Sequence, residues 1–132
     1  MKSAAEMQKI LNEVCFDRSL EVRSAVMRYF SPDYRQVTDG HVSDRESFIQ
    51  HIEALRARLT QGEIEVLDFV RSGDSFAERH QVRVTKTDGS RAQLEIYLFG
   101  KLDPQGQILA AHELTRVISG GHGDDQLGRV EK

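Results

Sequence analysis

The segment Phe76-Ala77-Glu78-Arg79-His80-Gln81-Val82-Arg83-Val84 decides the fold. Its character alternates with a period of two, the pattern of a half-buried strand. Phe76, Glu78, His80, Val82 and Val84 share one face, and Ala77, Arg79, Gln81 and Arg83 share the other, mostly polar one. Burial therefore favours turning the Phe76 face inward, which carries Glu78 and His80 with it. Working outward, the strand runs from Phe76 to Thr85, and Thr87-Asp88-Gly89-Ser90 turns it back with a hairpin dipeptide. Ala92 to Leu102 is the next strand, Asp103-Pro104-Gln105-Gly106 a tight connection, and Gln107 to Ile118 the last strand. Upstream, Ser72-Gly73-Asp74 is a turn, and Glu63 to Val70 is rich in β-branched and apolar residues. Long strands joined by short turns predict an antiparallel meander.

The first half has helical periodicity instead. Met7, Ile10, Leu11 and Val14 recur at spacings of three and four, on one helical face. After Asp17-Arg18-Ser19, a second short helix has Leu20, Val22, Val26 and Phe30 as its buried candidates. Pro32 is expected to end it, because the residue before a proline avoids the helical region. Tyr34 to Thr38 reads as a short strand, followed by the turn Asp39-Gly40. Ser43-Asp44-Arg45-Glu46 reads as a capping box, with Ser43 as the cap and Glu46 reaching back. Phe48, Ile52, Leu55 and Leu59 form the stripe of the helix that follows, and Gly62 is expected to stop it. Residues 1–119 form one domain, and 120–132, without apolar periodicity, is expected to be a flexible tail. The arrangement is α+β, and a strongly curved sheet around the helices would leave a cavity at its open end.

Composition narrows the function. The chain has 132 residues, 39% hydrophobic and 30% charged, which fits one globular domain. Its 18 Lys and Arg against 21 Asp and Glu give a net charge of −3 and no general basic field, which argues against a nucleic-acid partner. Apolar runs of only a few residues argue against a membrane span, and the N-terminus lacks a signal-peptide core. The single cysteine, Cys15, forms no internal disulfide and suits a reducing, cytoplasmic setting.

Several segments in this order resemble one family. They are Tyr29-Phe30-Ser31-Pro32-Asp33-Tyr34, Thr38-Asp39-Gly40-His41, Gly106-Gln107-Ile108 and His112-Glu113-Leu114-Thr115-Arg116. With the element order, they resemble the SnoaL-like branch of the nuclear transport factor 2-like superfamily over roughly residues 4–119. The resemblance implies a cone-shaped α+β barrel with a deep pocket, often a homodimer through the outer face of the sheet. It does not select a reaction, since the superfamily includes cyclases, isomerases, hydrolases, dehydratases and binding modules. In its polyketide cyclases an aspartate near this part of the last strand is the acid/base. Here no Asp stands between Gln107 and Gly123, a departure from the cyclase pattern.

The candidate site residues follow from the faces. Glu78 and His80 on one inward face form a potential acid/base pair, since buried ionisable groups need partners. On the last strand Leu109, Ala111, Glu113, Thr115 and Val117 share one face, and Ile108, Ala110, His112, Leu114, Arg116 and Ile118 the other. Both are largely apolar, so either Glu113 or the His112/Arg116 pair enters the pocket and the other face meets a partner chain. Glu113 is favoured, because it would orient His80. His51 shares the helical face of Phe48 and Leu55, as a core histidine or a ligand donor. Tyr97 either donates to a ligand or packs at an interface. Tyr34 and Asp39 are of the residue types ketosteroid isomerases use, although Asp39-Gly40 is also an ordinary turn. A metal site from His51, His80 and Glu113 has no supporting spacing, and no cofactor motif is present. The expectation is catalysis by His80, Glu113 and Glu78 without a cofactor or metal. Tyr34, Asp39, His51, Tyr97, His112 and Arg116 would contact a small hydrophobic, oxygenated ligand. The alternatives are a non-catalytic ligand carrier and a dimerisation module with a filled cone.

Overall fold

The computed structural model describes residues 1–120; the remainder of the segment read as a tail lies outside the described residues. The elements are α1 (Ala4–Cys15), α2 (Val22–Tyr29), β1 (Phe30–Thr38), β2 (His41–Asp44), α3 (Arg45–Arg58), β3 (Leu59–Ser72), β4 (Ser75–Lys86), β5 (Arg91–Leu102) and β6 (Ile108–Ser119). The strands form one curved sheet in the order β2-β1-β6-β5-β4-β3. β3 to β6 are the antiparallel meander expected from the turns, whereas β1 lies parallel to β6. The sheet remains open, and the helices cover its concave face.

Local chemistry explains the elements. Ser3 caps α1 by accepting from the Glu6 N–H at 3.1 Å, and Met7, Ile10, Leu11 and Val14 are buried. The polar face of α1 meets the edge strand β3. Asn12 exchanges two hydrogen bonds with Ile64, at 2.8 and 2.9 Å, and the Gln8 side-chain oxygen accepts from the Val66 N–H at 2.9 Å. The helix thus satisfies an edge that would otherwise be open to pairing. Within the meander Phe76 stands opposite Gly100, where a Cβ would lie 2.2 Å from Phe76 Cζ. Only glycine leaves room for the buried ring there.

Four readings require correction. Pro32 lies inside β1, which begins at Phe30 rather than Tyr34. The β1–β6 register shifts between Phe30 and Arg35, so the missing N–H of the exposed Pro32 falls in an irregular stretch. Asp39 (φ 50) and Gly40 (φ 86) form a two-residue turn into β2, a strand too short and polar to register in the sequence. The cap of α3 is Asp44, whose carboxylate accepts from the Ser47 N–H at 2.8 Å. Ser43 pairs with Gln36 in β2, and Glu46 binds Arg23 at 2.7 and 2.9 Å, tying α3 to α2. The helix ends at Arg58, and Gly62 lies within β3 under the Phe16 ring, where a Cβ would approach Phe16 to 2.2 Å.

Candidate functional site

All five inward residues of β4, namely Phe76, Glu78, His80, Val82 and Val84, are buried. His80 and Glu78 lie two residues apart on that face, and the imidazole Nδ1 sits 2.7 and 2.8 Å from the two Glu78 carboxylate oxygens. A carboxylate on Nδ1 fixes the ring and leaves Nε2 as the nitrogen for chemistry. Glu113 comes from β6, opposite Leu98 of β5. It lines a cavity of about 100 Å³ together with His80, Tyr34, Gln36, His51 and Thr115. The rest of the wall is largely apolar, with Phe76, Val82, Ile96 and Leu98 among it.

The surroundings set the protonation of Glu113. Burial pushes its carboxyl up to about 7, against the attraction of His80 and with added repulsion from Glu78. It forms no ion pair with Arg or Lys among the described residues. It is the end point of a relay along the inward face of β1. The Tyr34 hydroxyl donates to Gln36 Oε1 at 2.6 Å, Gln36 Nε2 donates to Thr38 Oγ1 at 2.6 Å, and Thr38 Oγ1 donates to Glu113 Oε2 at 3.2 Å. Bonds pointing the same way polarise one another toward the carboxylate. Burial holds the Tyr34 hydroxyl well above the usual tyrosine range, so it remains a donor. Cys15 also lines the cavity, and burial pushes its thiol up to about 12, which leaves it un-ionised.

Sequence reasoning missed Gln36, Thr38 and Thr115. The period-two spacing Tyr34-x-Gln36-x-Thr38 carried the signal, but only the β1–β6 pairing shows what it faces. The Thr115 hydroxyl oxygen is buried with no hydrogen-bond partner among the described residues, beside Glu113 on the same face. An orphaned buried hydroxyl on a cavity wall is a position where a ligand or water oxygen gains a bond.

Four expected ligand contacts lie elsewhere. Asp39 braces the backbone: its carboxylate accepts from the Thr115 N–H at 2.8 Å, and its own N–H donates to the Glu113 carbonyl at 3.0 Å. His112 and Arg116 are on the outer face of the sheet, as is Tyr97, half-exposed at 52%. The physical reason is strand parity: placing Glu113 inward sends His112 and Arg116 outward. Arg116 instead donates to Glu95 at 3.1 Å, and Arg79 holds the other Glu95 oxygen at 2.8 Å. Among the described residues no group of three or more His, Cys, Asp or Glu side chains is arranged to hold a metal ion. No described helix is long and apolar enough to cross a membrane.

An open curved sheet, parallel at β1–β6 and wrapped around three helices, is the nuclear transport factor 2-like fold. A nuclear transport factor 2-like protein of unknown function from Exiguobacterium sp. 255-15 matches with a TM-score of 0.71 and 15% identity, over 86% of this chain and 98% of that one. A protein from Jannaschia sp. CCS1, described as a SnoaL-like polyketide cyclase, matches with a TM-score of 0.67 and 14% identity, over 85% and 84% of the two chains. No protein-family model matches the sequence. By sequence the chain is 33% identical over 115 residues to the uncharacterised protein C11D3.04c of Schizosaccharomyces pombe, spanning 87% of each. It belongs to the family of that yeast protein.

Proposed function

We propose that the protein binds a small apolar, oxygenated molecule in its cone and moves a proton on it without an organic cofactor. The reaction class is isomerisation, cyclisation or hydration. The observation that carries this reading is Glu113, a partly buried carboxyl pushed up to about 7 that shares a cavity with His80. A group that titrates near the working pH serves as either acid or base. His80, held by Glu78, is the second proton carrier, and the Thr115 hydroxyl offers a hydrogen bond to a substrate oxygen. The cavity of about 100 Å³ limits the reacting portion. It compares with roughly 150 Å³ for a cavity that holds benzene, and with roughly 300 Å³ and more for drug-sized ligands.

The test begins with native mass spectrometry, which reports any co-purified ligand. Incubating that ligand in D₂O with the wild-type protein, Glu113→Gln and His80→Ala then separates catalysis from carriage. Deuterium incorporation that both variants lose while retaining affinity supports the reading. Affinity without incorporation in the wild type leaves a non-catalytic binding module, the second reading.

The same proposal places a second copy on the outer face. Tyr97, Phe99 and Leu114 are exposed there beside Val37 and Val70, around a cleft of about 660 Å³. Contiguous exposed apolar surface of this kind marks an interface. A dimer mass is expected, and a monomer would remove this part of the reading. A reducing cytoplasmic setting completes the proposal, in keeping with the unpaired, buried Cys15.

A further inference from the structure

A second cleft, of about 710 Å³, lies at the end of the sheet where β6 finishes with Ser119. It shares Phe16 and Val84 with the apolar cavity, so the two spaces meet at those side chains. Val84 is on the inward face of β4, four residues beyond His80. At ~3.3 Å per residue this separates the cleft from the Glu113–His80 centre by roughly 13 Å. A molecule reaching both spaces would have to be extended and to pass Phe16 and Val84. Phe16 stands at the junction with its ring seated over Gly62.

The two spaces differ in charge. The cleft walls carry Arg18, Arg56, Arg83 and Arg91 against one carboxylate, Glu63. Arg83 is already occupied, by Glu63 at 2.7 Å and Glu65 at 3.1 Å. Arg18 and Arg56 have no carboxylate within ion-pair distance among the described residues. Arg56 donates to the carbonyls of Glu13, Val14, Cys15 and Leu20, which closes the end of α1. Arg18 uses only Nη2, donating to the Arg56 carbonyl at 2.9 Å and the Leu59 carbonyl at 2.6 Å. Its Nε and Nη1 make no hydrogen bond among the described residues. Asp17, the carboxylate whose field reaches Arg56, is itself bonded to Ser19 at 2.6 and 3.0 Å. Backbone carbonyls therefore hold both guanidinium groups on the wall of one cleft, with no carboxylate in ion-pair contact among the described residues and with donors to spare. A planar guanidinium with free N–H groups is matched in geometry and charge by a carboxylate.

We infer that this cleft holds the carboxylate head of an elongated apolar organic acid, whose body passes Phe16 into the cavity and presents its far end to Glu113 and His80. The inference rests on the cavity being a ligand site, and it adds the substrate class: an organic anion rather than a neutral lipid or alcohol.

Calorimetric titration of the full chain with octanoate and with octanol tests it, because the two probes share a chain and differ in the head. Octanoate is expected to bind ~10-fold or more tightly than octanol. Added salt should weaken octanoate alone, a result that needs no variant. Arg18→Gln should remove most of the octanoate advantage and leave octanol affinity unchanged, which also shows that the variant is folded. Equal affinities for the two probes, or an octanoate advantage that survives Arg18→Gln, would overturn the anion site while the cavity reading stands. Binding of neither probe would overturn both.

Discussion

Glu95 and Glu113 occupy neighbouring strands, β5 and β6, the first buried and the second partly buried, yet the two faces of the sheet give them opposite chemistry. Glu95 lies between Arg79 and Arg116 and has a 5% exposed side chain. The Arg79 bond, with further help from Arg116, holds its carboxyl below the usual range. Glu113 points into the cone, where it accepts a hydrogen bond from a threonine and pairs with no arginine among the described residues. Burial then dominates and lifts it to about 7. What the contrast teaches is that residue type does not assign the role. A guanidinium pair makes a permanent anion that fastens two strands, and a dry wall with one weak donor makes an acid that titrates at neutrality.

The largest expected effect tests that difference in role. Glu113→Gln should reduce proton-transfer turnover by ~10²–10⁴-fold, the usual worth of a positioned acid or base, while Glu95→Gln leaves it unchanged. Equal losses in the two variants would erase the distinction.

Next comes the pH dependence of stability, where the two carboxyls should carry opposite signs. Glu113 binds its proton more tightly folded (about 7) than unfolded (the ordinary 4.5). Its contribution is therefore complete below ~4.5 and falls as pH rises toward 7, by about 3 kcal/mol in all. Denaturant melts of wild type and Glu113→Gln should converge at low pH and separate across this window, with the variant the more stable at pH 8. Glu95, with its folded value depressed, contributes above its unfolded value and loses that contribution as pH falls through the folded one.

A smaller change should sharpen the account of what tunes Glu113. Thr38→Val deletes the donor at 3.2 Å, one of the influences holding the carboxyl down. The midpoint of its titration should rise by ~0.7 unit, since such a bond is worth ~1 kcal/mol. The smallest effect is expected at the exposed end of the outer network. Arg116→Gln leaves Arg79 on Glu95 and should lower the melting temperature only slightly, because Arg116 is 66% exposed in its side chain.

Much of the frame was legible because local patterns and burial agree. The alternation over Phe76–Val84 identifies the inward face of β4, and the buried Met7, Ile10, Leu11 and Val14 follow from helical spacing. The readings that failed involve competition between similar residues or long-range pairing. Ser43 and Asp44 are equally good caps on chemistry alone, and the strand pairing of Ser43 with Gln36 decides between them. Gly62 has the composition of a helix stop, but its small size serves the Phe16 ring. For the site, both faces of β6 are apolar, so the sequence does not choose between Glu113 and the His112/Arg116 pair. The parallel pairing of β1 with β6, between residues 75 apart, places Thr38 against Glu113 and settles it.

The most direct measurement is an NMR titration of the glutamate side-chain carboxyl carbons, with Glu113→Gln supplying the assignment. The account requires one carboxyl with a midpoint near 7 that disappears in the variant, while the Glu95 signal stays ionised to low pH. If every glutamate titrates within the ordinary range near 4.5 and the variant removes only one of those signals, Glu113 is not the neutral-pH acid on which the proposed chemistry depends.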